Sequence, residues 1–450
     1  MAREYKDSGI EWIGQIPKEW EVCRLKNVGY LYGGLTGKAG DDFNVEDEDT
    51  SYMLYIPFTN IFNNDSINPN QLFKVKIESG EEQNLVQKGD LLFLMSSEDF
   101  DGVGKPAIME EQVENLGLNS FCKGMRVTNS ITNSKYLFYL LSSHLLRELV
   151  RQEAKGFIRI NLRQDRLSCC PVFLPSVAEQ QKIADYLDKV CGEVDEMVAL
   201  QETMIEELKA YKQSVITEAV TKGLNPNAPM RESGIDWIGE IPEHWEAKKL
   251  KYIIDYIESG TSVNAGNVPA QTNEFGVLKT SAVSKYVFDA TENKTVVSEE
   301  MDKVSCPVRK NTIIVSRMNT PELVGACGYV ENDYNNIFLP DRLWQVHFVD
   351  TVYVKYIWYA LRGSNIRNYY SSLSVGSSSS MQNISQSQFS NGSIPIPCDV
   401  DEQRAIVSYL DTKCSEIDSL IALKQAKIEE LKEYKKSVIY EYVTGKKEVV

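Results

Sequence analysis

The sequence lacks any apolar run long enough to cross a membrane. A transmembrane helix needs about 18 or more consecutive apolar residues, and no such run occurs. The first twelve residues, MAREYKDSGIEW, also lack the apolar centre of a secretory leader. The sequence therefore predicts a protein that stays in the cytoplasm.

Histidine is scarce, which argues against several kinds of active site. His144, His244 and His347 are the only histidines, and none belongs to a spacing typical of a metal site. No Gly-x-Ser-x-Gly or other nucleophile motif occurs, and no carboxylate pair stands out from solvated helix faces. We therefore expect a chain without a metal and without an active site of its own.

Cysteine occurs in an odd number, nine, at scattered positions. Cys169 and Cys170 are adjacent and cannot easily pair with each other. Cys191 and Cys414 occupy equivalent positions of the repeat described below. This pattern favours small, buried, reduced thiols over disulfides.

Positive charge is in deficit. The chain has 48 Lys and Arg against 64 Asp and Glu, a formal net charge of −16. A compact nucleic-acid binder is usually basic, so this balance counts against DNA binding at first. The charge is uneven, however, since residues 41–49 carry six acids and no base. Basic patches can therefore exist elsewhere, while acidic surfaces face away from phosphate or toward a basic partner.

The chain contains an internal repeat. SGIEWIGQIPKEW at 8–20 returns as SGIDWIGEIPEHW at 233–245, with 9 of 13 positions identical. EELKAYKQSVI at 206–216 returns as EELKEYKKSVI at 429–439, with 9 of 11 identical. The stretches between these motifs differ strongly. This organisation predicts two similar readers of two different things on one frame.

The repeated leading segments carry paired aromatic and proline residues. We expect their tryptophans to be packing anchors and their prolines to mark a turn. These residues are Trp12, Trp20, Trp237 and Trp245, with Pro17 and Pro242.

Each variable stretch mixes short β-rich runs with Gly, Ser and Asn turns. LLFLM at 91–95 and TIIVS at 312–316 predict buried strands. The segments 136–150 and 353–370 each have the pattern of one amphipathic helix. Residues 30–170 and 255–395 therefore each predict an α/β domain.

Two long helices are predicted after Pro175 and Pro397. Ser176 with Glu179 matches a capping box, and Asp399 with Glu402 matches a second. Each helix of roughly 45 residues would be about 65–70 Å long, and the natural partner of each is the other, antiparallel. The first is expected to end near Gly223, before a stiff NPNAP turn at 225–229.

The apolar positions of these helices predict a heptad seam. In the first helix they are Ile183, Leu187, Val190, Val194, Met197, Gln201, Met204, Leu208, Tyr211 and Val215. In the second they are less regular: Ile406, Leu410, Cys414, Ile417, Ile421, Lys424, Ile428, Leu431 and Val438.

Two glycine-rich segments resemble nucleotide-binding loops only weakly. FDGVG, with Phe100, Gly102 and Gly104, matches a methyltransferase pattern, but the partner motif D/N-P-P-Y/F is absent. GGLTGKAG at 33–40 resembles a phosphate loop without its full spacing or its final Ser or Thr. We expect ordinary glycine turns at both places.

Binding chemistry is better represented than catalytic chemistry. AKGFIRINLRQDRL at 154–167 mixes polar side chains with apolar anchors, and Arg, Asn and Gln can read base edges in the major groove. SVGSSSSMQNISQSQF at 374–389 stands at the equivalent place, with less charge. Gly156 aligns with Gly376, Asn161 with Asn383, and Leu167 with Phe389. A solvated polar loop is the alternative interpretation. The candidates are Lys155, Arg159, Asn161, Arg163, Gln164 and Arg166, with Ser378, Ser379, Gln382, Asn383 and Gln386.

Weaker candidates for DNA contact lie on other loops and strand ends. They are Thr36 and Lys38, Lys105, Ser262 and Asn264, Arg317 and Asn319, and Arg342.

The whole chain resembles a type I restriction-modification specificity subunit. The features that carry the resemblance are the two W-I-G-x-I-P-x-x-W segments and the repeated EELKxYKxSVI helices. The two proline-to-helix junctions, LPSVAEQQKIADYLD at 174–188 and IPCDVDEQRAIVSYLD at 396–411, complete it.

The resemblance implies a mixed α/β fold with an internal pseudo-two-fold repeat. Two target recognition domains, about 15–172 and 240–397, would be joined by two long helices forming an antiparallel coiled coil. The predicted division is 1–175 and 226–398 for the leading segments and recognition domains, with helices over 176–225 and 399–450.

The resemblance also implies a function and partners. Each recognition domain would read one half of a split, asymmetric target in double-stranded DNA. The helices would set the gap and dock two methyltransferase subunits, and two restriction subunits could join. S-adenosylmethionine, ATP and magnesium would belong to those partners. The acidity of Asp41 to Asp49 suggests that tight DNA binding needs the methyltransferase subunits.

Two other functions stay open from sequence. A coiled-coil scaffold whose globules bind proteins would suit the heptads and the acidity. A methyltransferase in its own right would rest on FDGVG alone.

Overall fold

The computed structural model describes residues 3–10, 13–43, 52–378 and 381–449. The backbone forms two compact units, unit 1 from Met1–Glu202 with Ala426–Val450, and unit 2 from Thr203–Gln425. Each unit therefore contains part of both long helices. In the described part of the chain, no helix is both long and apolar enough to span a membrane.

Unit 1 is built from short strands and helices. The strands are β1 (Tyr5–Asp7), β2 (Gln15–Pro17), β3 (Glu21–Arg24), β4 (Gly29–Gly33), β5 (Tyr52–Ile56), β6 (Phe73–Lys76), β7 (Leu91–Leu94), β8 (Ser96–Ser97), β9 (Pro106–Ile108), β10 (Leu116–Leu118), β11 (Cys122–Val127), β12 (Ile160–Asn161) and β13 (Pro171–Leu174). The helices are α1 (Phe58–Asn63), α2 (Ser134–Ser142), α3 (His144–Glu153), α4 (Gln164–Ser168) and the long α5 (Val177–Lys222), which continues into unit 2.

Unit 2 has a closely matching set. The strands are β14 (Met230–Glu232), β15 (Glu240–Pro242), β16 (Trp245–Lys249), β17 (Ile254–Ser259), β18 (Gly276–Leu278), β19 (Asn293–Thr295), β20 (Pro307–Val308), β21 (Thr312–Ser316), β22 (Met318–Asn319), β23 (Cys327–Val330), β24 (Tyr334–Phe338), β25 (Leu343–Phe348), β26 (Val375–Ser378), β27 (Met381–Asn383) and β28 (Ser393–Pro397). The helices are α6 (Val354–Leu361), α7 (Ser364–Leu373), α8 (Gln386–Asn391) and the long α9 (Val400–Val443), which continues into unit 1.

The two units share one sheet topology. The central antiparallel sheet has the order β4-β11-β7-β9 in unit 1 and β17-β25-β21-β23 in unit 2. Each unit also contains a second sheet with one parallel strand pair, β10 with β5 in unit 1 and β24 with β18 in unit 2. The predicted strands β7 and β21 lie inside the central sheets and are buried throughout, which confirms them. The duplicated topology confirms the internal repeat where the sequences have diverged.

Each predicted amphipathic helix is instead a pair of helices. The first breaks at Ser143, whose backbone leaves the helical region and whose hydroxyl donates to the Leu140 carbonyl. The second breaks at Arg362 and Gly363. The prediction of one helix in each segment is wrong, because apolar periodicity continued across both breaks while local backbone bonds ended each helix.

Both long helices begin where predicted. The first ends at Lys222, where Gly223 adopts φ +74 and bonds to the Ala219 carbonyl. The second ends at Val443, because Gly445 adopts φ +69 shortly afterwards. A left-handed glycine terminates a helix at little steric cost. The prediction that the second helix continues to 450 is therefore too long.

The helices run antiparallel within each unit. In unit 1 the Lys435 ammonium contacts the Asp195 carboxylate at 2.8 Å. In unit 2 Lys212 contacts Asp418 at 2.6 Å. The two pairs occupy equivalent repeat positions, so each unit uses the same ion pair to hold the helices in register.

The seam predicted for α9 is confirmed, but that predicted for α5 is partly wrong. In α5, Met197 and Tyr211 are 51% and 57% exposed, whereas Cys191 and Ile205 are buried. The order of the three- and four-residue steps is therefore exchanged beyond Leu187, where Cys191 rather than Val190 is buried. Both phases share several apolar positions, and packing selects the one that buries Cys191 and Ile205.

A buried tryptophan ties each leading segment to the start of a long helix. Trp20 donates its indole N–H to the Glu179 carboxylate at 3.3 Å, and Trp245 donates to Glu402 at 3.0 Å. Neither indole is accessible to solvent. Ser176 does accept from the Glu179 backbone N–H, as a capping box requires. The glutamate side chains instead bind the tryptophans, so the reciprocal half of both predicted capping boxes is wrong.

The other aromatic and turn predictions have clear outcomes. Trp237 stacks on Tyr369 with ring centroids 4.4 Å apart, which confirms it as a packing anchor. Trp12 lies outside the described residues. Pro17 and Pro242 end short strands directly before a turn.

A buried glutamine joins the globular part of each unit to the start of a long helix. Gln403 donates to the Pro397 carbonyl at 3.0 Å and accepts from the Tyr353 backbone N–H at 2.8 Å. Gln180 makes the equivalent bonds to Pro175 and Asn133. Both amides are almost wholly buried, and their partners are backbone groups, which buried amides are expected to satisfy.

Replacing the buried amide should destabilise unit 2. In Gln403→Leu, the Tyr353 N–H and the Pro397 carbonyl lose their partner, at a cost of about 1–3 kcal/mol for each orphaned group. We expect thermal unfolding at a lower temperature by calorimetry. The exposed Gln425→Leu on the same helix is the matched control and should change little. Equal melting of the two variants would contradict the proposed connection.

The cysteines are all free thiols, as predicted, but they are not all buried. Cys169 and Cys398 are exposed. Burial raises the pKa of Cys122 and Cys327 to about 12. A thiol with so high a pKa is almost entirely protonated at neutral pH and reacts slowly.

The native protein should therefore have two fast-reacting thiols. We expect a chromogenic disulfide reagent to label Cys169 and Cys398 rapidly, with the remaining thiols reacting after denaturation. The double variant Cys169→Ser/Cys398→Ser should lose the fast phase. Rapid labelling of Cys122 in the native protein would contradict the described core.

Candidate functional site

The polar segments aligned from sequence form the same hairpin in both units. In unit 1, Lys155 and Asn161 exchange two backbone hydrogen bonds at 3.0 and 2.9 Å. In unit 2, Val375 pairs with Asn383. The residue before the aligned glycine therefore faces the aligned asparagine in both hairpins. The predicted correspondence of the two segments is confirmed.

A glycine is required at the same place in each hairpin. A Cβ on Gly156 would lie 1.9 Å from the Arg159 carbonyl oxygen, and one on Gly376 would lie 2.0 Å from that of Met381. No side chain fits such a close backbone approach. The backbone thus fixes each hairpin, while the side chains around it are free to differ.

Each hairpin is mounted on the strand that follows a buried central strand. Ile160 and Asn161 pair with Ser97 and Ser96 in unit 1. In unit 2, Asn383 and Gln382 pair with Met318 and Asn319. The buried residues Leu167 and Phe389 anchor the short helices that follow. Gln164 and Gln386 are exposed at the first positions of those helices.

An aromatic recess lies beside the hairpin of unit 1. The Arg159 guanidinium lies 5.2 Å from the centroid of the Phe121 ring, which is 51% exposed. Phe58 and Phe62 stack with centroids 5.9 Å apart. Together with Ser96, Ser97, Glu98, Asp99 and Asn119, these residues line a cavity of about 420 Å³. The arrangement offers flat apolar rings for stacking and amide or hydroxyl groups for hydrogen bonding.

The apolar residues of the first hairpin divide into two groups. Ile160 and Leu162 are buried, as expected of anchors. Phe157 and Ile158 are instead 105% and 90% exposed at the tip. The expectation that the apolar residues of this segment all serve as anchors is wrong for these two. An adjacent apolar pair directly after Lys155 and Gly156, in a turn, was the available signal.

The equivalent place in unit 2 is polar. Arg317 donates its backbone N–H to the Arg342 carbonyl and accepts from the backbone N–H of Ile384. The Asn383 side-chain oxygen and the Arg317 Nε are buried, with no hydrogen-bond partner among the described residues. Gln382 contacts the Ser374 hydroxyl at 3.5 Å. The structure thus places five of the predicted residues around one hairpin. They are Arg317, Asn319, Arg342, Gln382 and Asn383.

Several predicted residues are occupied by contacts within the protein. The Lys38 ammonium binds Glu81 and holds the pKa of that carboxyl down at about 2. Lys105 donates to the Phe62 and Asn64 carbonyls at 2.7 and 3.2 Å. The predicted DNA contacts of Lys38 and Lys105 stay predictions, but both cations already have partners.

The remaining candidates lie on exposed loops or outside the described residues. The Thr36 backbone N–H bonds to Gln83, and Asn264 donates to Glu300. Arg163 pairs with Asp165, and Arg166 lies 3.3 Å from Glu153. Lys155 and Ser262 are exposed. Ser378 belongs to β26, and Ser379 lies outside the described residues.

The FDGVG segment is a turn. Asp99 accepts from the Gly102 N–H at 2.6 Å, and the buried Arg147 donates to the Val103 and Asp101 carbonyls. Burial lowers the pKa of Arg147 to about 10. A Cβ on Gly102 would clash with Ser97 and Phe62. The glycines therefore serve close packing beneath the hairpin.

Comparison with known proteins gives consistent matches along the chain. The family model described as the type I restriction modification DNA specificity domain matches residues 17–210 and 242–433. The specificity subunit of the type I restriction enzyme EcoKI of Escherichia coli K12 is 24% identical over 91% of this chain and 86% of its own length. The putative type I restriction enzyme MjaX specificity subunit of Methanocaldococcus jannaschii is 25% identical over 99% of this chain and 98% of its own length.

Solved structures show the same fold. A chain from a structure of type I restriction-modification assembly matches with a TM-score of 0.69 at 16% identity, over 96% of this chain and 99% of that one. The HsdS subunit of Thermoanaerobacter tengcongensis matches with a TM-score of 0.51 at 16% identity, over 96% and 98%. With two family domains covering most of its length, the chain belongs to the type I restriction modification DNA specificity family.

Proposed function

We propose that this chain is the DNA sequence-specificity subunit of a type I restriction-modification complex and catalyses no reaction itself. One observation carries the proposal: two hairpins closed by backbone pairing at equivalent aligned positions present unlike side chains. A shared backbone arrangement that carries different side chains suits recognition of two different half-sites. Family membership supports the same function.

Each unit reads one half of a bipartite, asymmetric target. Unit 2 presents Asn319, Gln382 and Asn383, whose amides can bond to adenine in the major groove. Unit 1 presents Arg159, which suits guanine, beside aromatic rings on which a base can stack. The difference in chemistry between the hairpins makes the two halves of the target unlike.

Variants of one hairpin should alter one half of the target. We expect Asn319→Ala/Gln382→Ala to relax sequence preference in the half read by unit 2 only, by roughly 10- to 100-fold per lost bidentate contact. Arg159→Ala should change the other half only. The measurement is mapping of methylated positions in DNA from cells that contain the chain and its methyltransferase.

The double variant Glu4→Gln/Lys18→Gln is the control, because it keeps the net charge and removes an exposed ion pair of the leading segment that is not among the candidates. Methylated targets that keep both halves unchanged in the hairpin variants would contradict the assignment of the reading residues. Absence of sequence-specific methylation by the unmodified complex would contradict the proposed function.

Two copies of one methyltransferase subunit dock on the long helices. Large apolar side chains are exposed at equivalent positions of the repeat, each pair separated by 223 residues. The pairs are Met197 (51% exposed) with Leu420 (47%), Leu200 (52%) with Leu423 (67%), and Tyr211 (57%) with Tyr434 (52%). Exposed apolar residues repeated in this way support two equivalent docking surfaces. The helices, 46 and 44 residues long, would also set the gap between the half-sites.

Disrupting one docking surface should release one partner. We expect Leu420→Asp/Leu423→Asp to reduce the complex from two methyltransferase subunits to one, because charge cannot enter an apolar interface. Met197→Asp/Leu200→Asp should do the same at the equivalent surface. Native mass spectrometry gives the stoichiometry. Gln425→Asp, an exposed change on the same helix, should leave it unchanged, and two bound subunits in either double variant would contradict the assignment.

Cofactors and restriction partners follow from this function. We assign S-adenosylmethionine to the methyltransferase subunits, and ATP and magnesium to restriction subunits that the complex can recruit. The complex would act in the cytoplasm, where its DNA target lies. A purely protein-binding scaffold is less well supported, because the family match covers both recognition units.

A further inference from the structure

The tip of the first hairpin exposes two large apolar side chains completely. Phe157 and Ile158 are 105% and 90% exposed, while Ala154, Ile160 and Leu162 around them are buried. Isolated exposed apolar residues are common, but an adjacent pair at the end of a projecting loop is poorly accommodated by water. The pair therefore has the character of a contact surface.

The hairpin holds this pair on a stiff mount. Lys155 and Asn161 close it with two backbone bonds, and the Leu162 N–H bonds to the Met95 carbonyl at 2.9 Å. Gly156 fits tightly against the Arg159 carbonyl. Little backbone freedom remains to be lost when the tip enters a partner, which favours binding.

The charges around the tip select a polyanion as that partner. From Ala154 to Arg163 there are three cations, Lys155, Arg159 and Arg163, and no acid, in a chain of net charge −16. Asp165 pairs with Arg163 and Glu153 with Arg166, and Glu98 and Asp99 line the recess beside Arg159, which leaves the exposed Lys155 closest to the tip. Cations on both sides of an apolar pair complement the phosphates on both sides of a base step.

We propose that Phe157 and Ile158 form an apolar wedge that enters the base stack of the half-site read by unit 1. Lys155 holds a flanking phosphate, while Arg159 keeps the base-edge role proposed above. This inference rests on the proposed function and adds a distortion of the DNA that base-edge contacts alone would not cause. Apolar wedges of this kind unstack a base step and kink the duplex.

The wedge belongs to one half-site only. In the second hairpin the sequence between Gly376 and Met381 is four serines. Exposed apolar residues there, Val375 and Met381, belong to the strands β26 and β27. The two halves of the target are thus recognised differently, one with local unstacking and the other by polar contact.

Permanganate reactivity of thymines tests the wedge, because permanganate attacks thymines that are unstacked. The full complex is bound to its mapped target, with thymine placed at successive positions of both halves. We expect one step in the half read by unit 1 to become several-fold more reactive. In Phe157→Ala/Ile158→Ala this signal should fall to that of free DNA, and binding should weaken roughly 10- to 100-fold.

A second measurement uses DNA that is already unstacked. A mismatch at the wedged step removes part of the cost of opening it. It should tighten binding of the unmodified complex several-fold and leave the double variant unaffected. Phe157→Trp, which keeps a large apolar ring, should retain both the permanganate signal and the response to the mismatch.

Val375→Ala/Met381→Ala in the second hairpin is the matched control and should leave the signal in the first half unchanged. A base that the methyltransferase extrudes from the duplex would also react with permanganate, in both halves. The Phe157→Ala/Ile158→Ala variant would leave that part of the reactivity unchanged. Persistence of the whole signal in that variant would overturn the wedge. Loss of a methyltransferase subunit from that variant, with unstacking retained, would make the tip a protein contact and overturn it also.

These outcomes separate the wedge from the function on which it rests. The complex could methylate a defined sequence while no unstacking depends on Phe157 and Ile158. That result leaves the proposed function intact and rejects the wedge. Failure of the unmodified complex to methylate a defined sequence rejects the proposed function itself.

Discussion

The hydrogen bond between a buried tryptophan and a glutamate at the start of a long helix is the constraint on which each unit depends. The indole N–H of Trp20 or Trp245 has no access to water, so it must find an acceptor inside the protein. Glu179 and Glu402 supply it from the first turn of the helix, where the helix dipole also favours a carboxylate. One polar contact therefore fixes where the helix begins and how the leading segment packs against it.

This frame allows the reading surfaces to vary without losing their position. The hairpins are held by backbone bonds and by the close approach at Gly156 and Gly376, which do not depend on neighbouring side chains. Substitution of an exposed hairpin side chain therefore costs the fold little, which lets the proposed recognition chemistry vary. Buried contacts such as that of Gln403 are the opposite case, because each of their partners would be left unsatisfied.

Much of this arrangement could be predicted from the sequence, because the repeat supplies two versions of one pattern. The seam predicted for α9 is correct throughout, while that for α5 fails at Met197 and Tyr211. Shifting the α9 seam back by the repeat distance gives the buried positions Cys191 and Ile205 of α5. Apolar periodicity alone could not choose between the two phases, since packing against the other helix decides which face is buried.

The site was less predictable, because its chemistry depends on partners that are distant in sequence. The register of the hairpins followed from aligned glycines and asparagines. Nothing near Lys38 indicated that Glu81 would neutralise it, and nothing near Lys105 indicated its carbonyl partners. The exposure of Phe157 was missed because an apolar residue is by default expected to be buried.

Some cations of this acidic chain are occupied within the fold. Lys38 and Lys105 have internal partners and Arg147 is buried, so these three are not presented to phosphate. With a net charge of −16, the isolated chain would be repelled by most DNA. In the proposed function, non-specific affinity would then come from partner subunits, while Arg159 and its neighbours would discriminate between sequences. Such a separation of attraction from discrimination would keep the isolated chain from binding DNA before the complex is assembled.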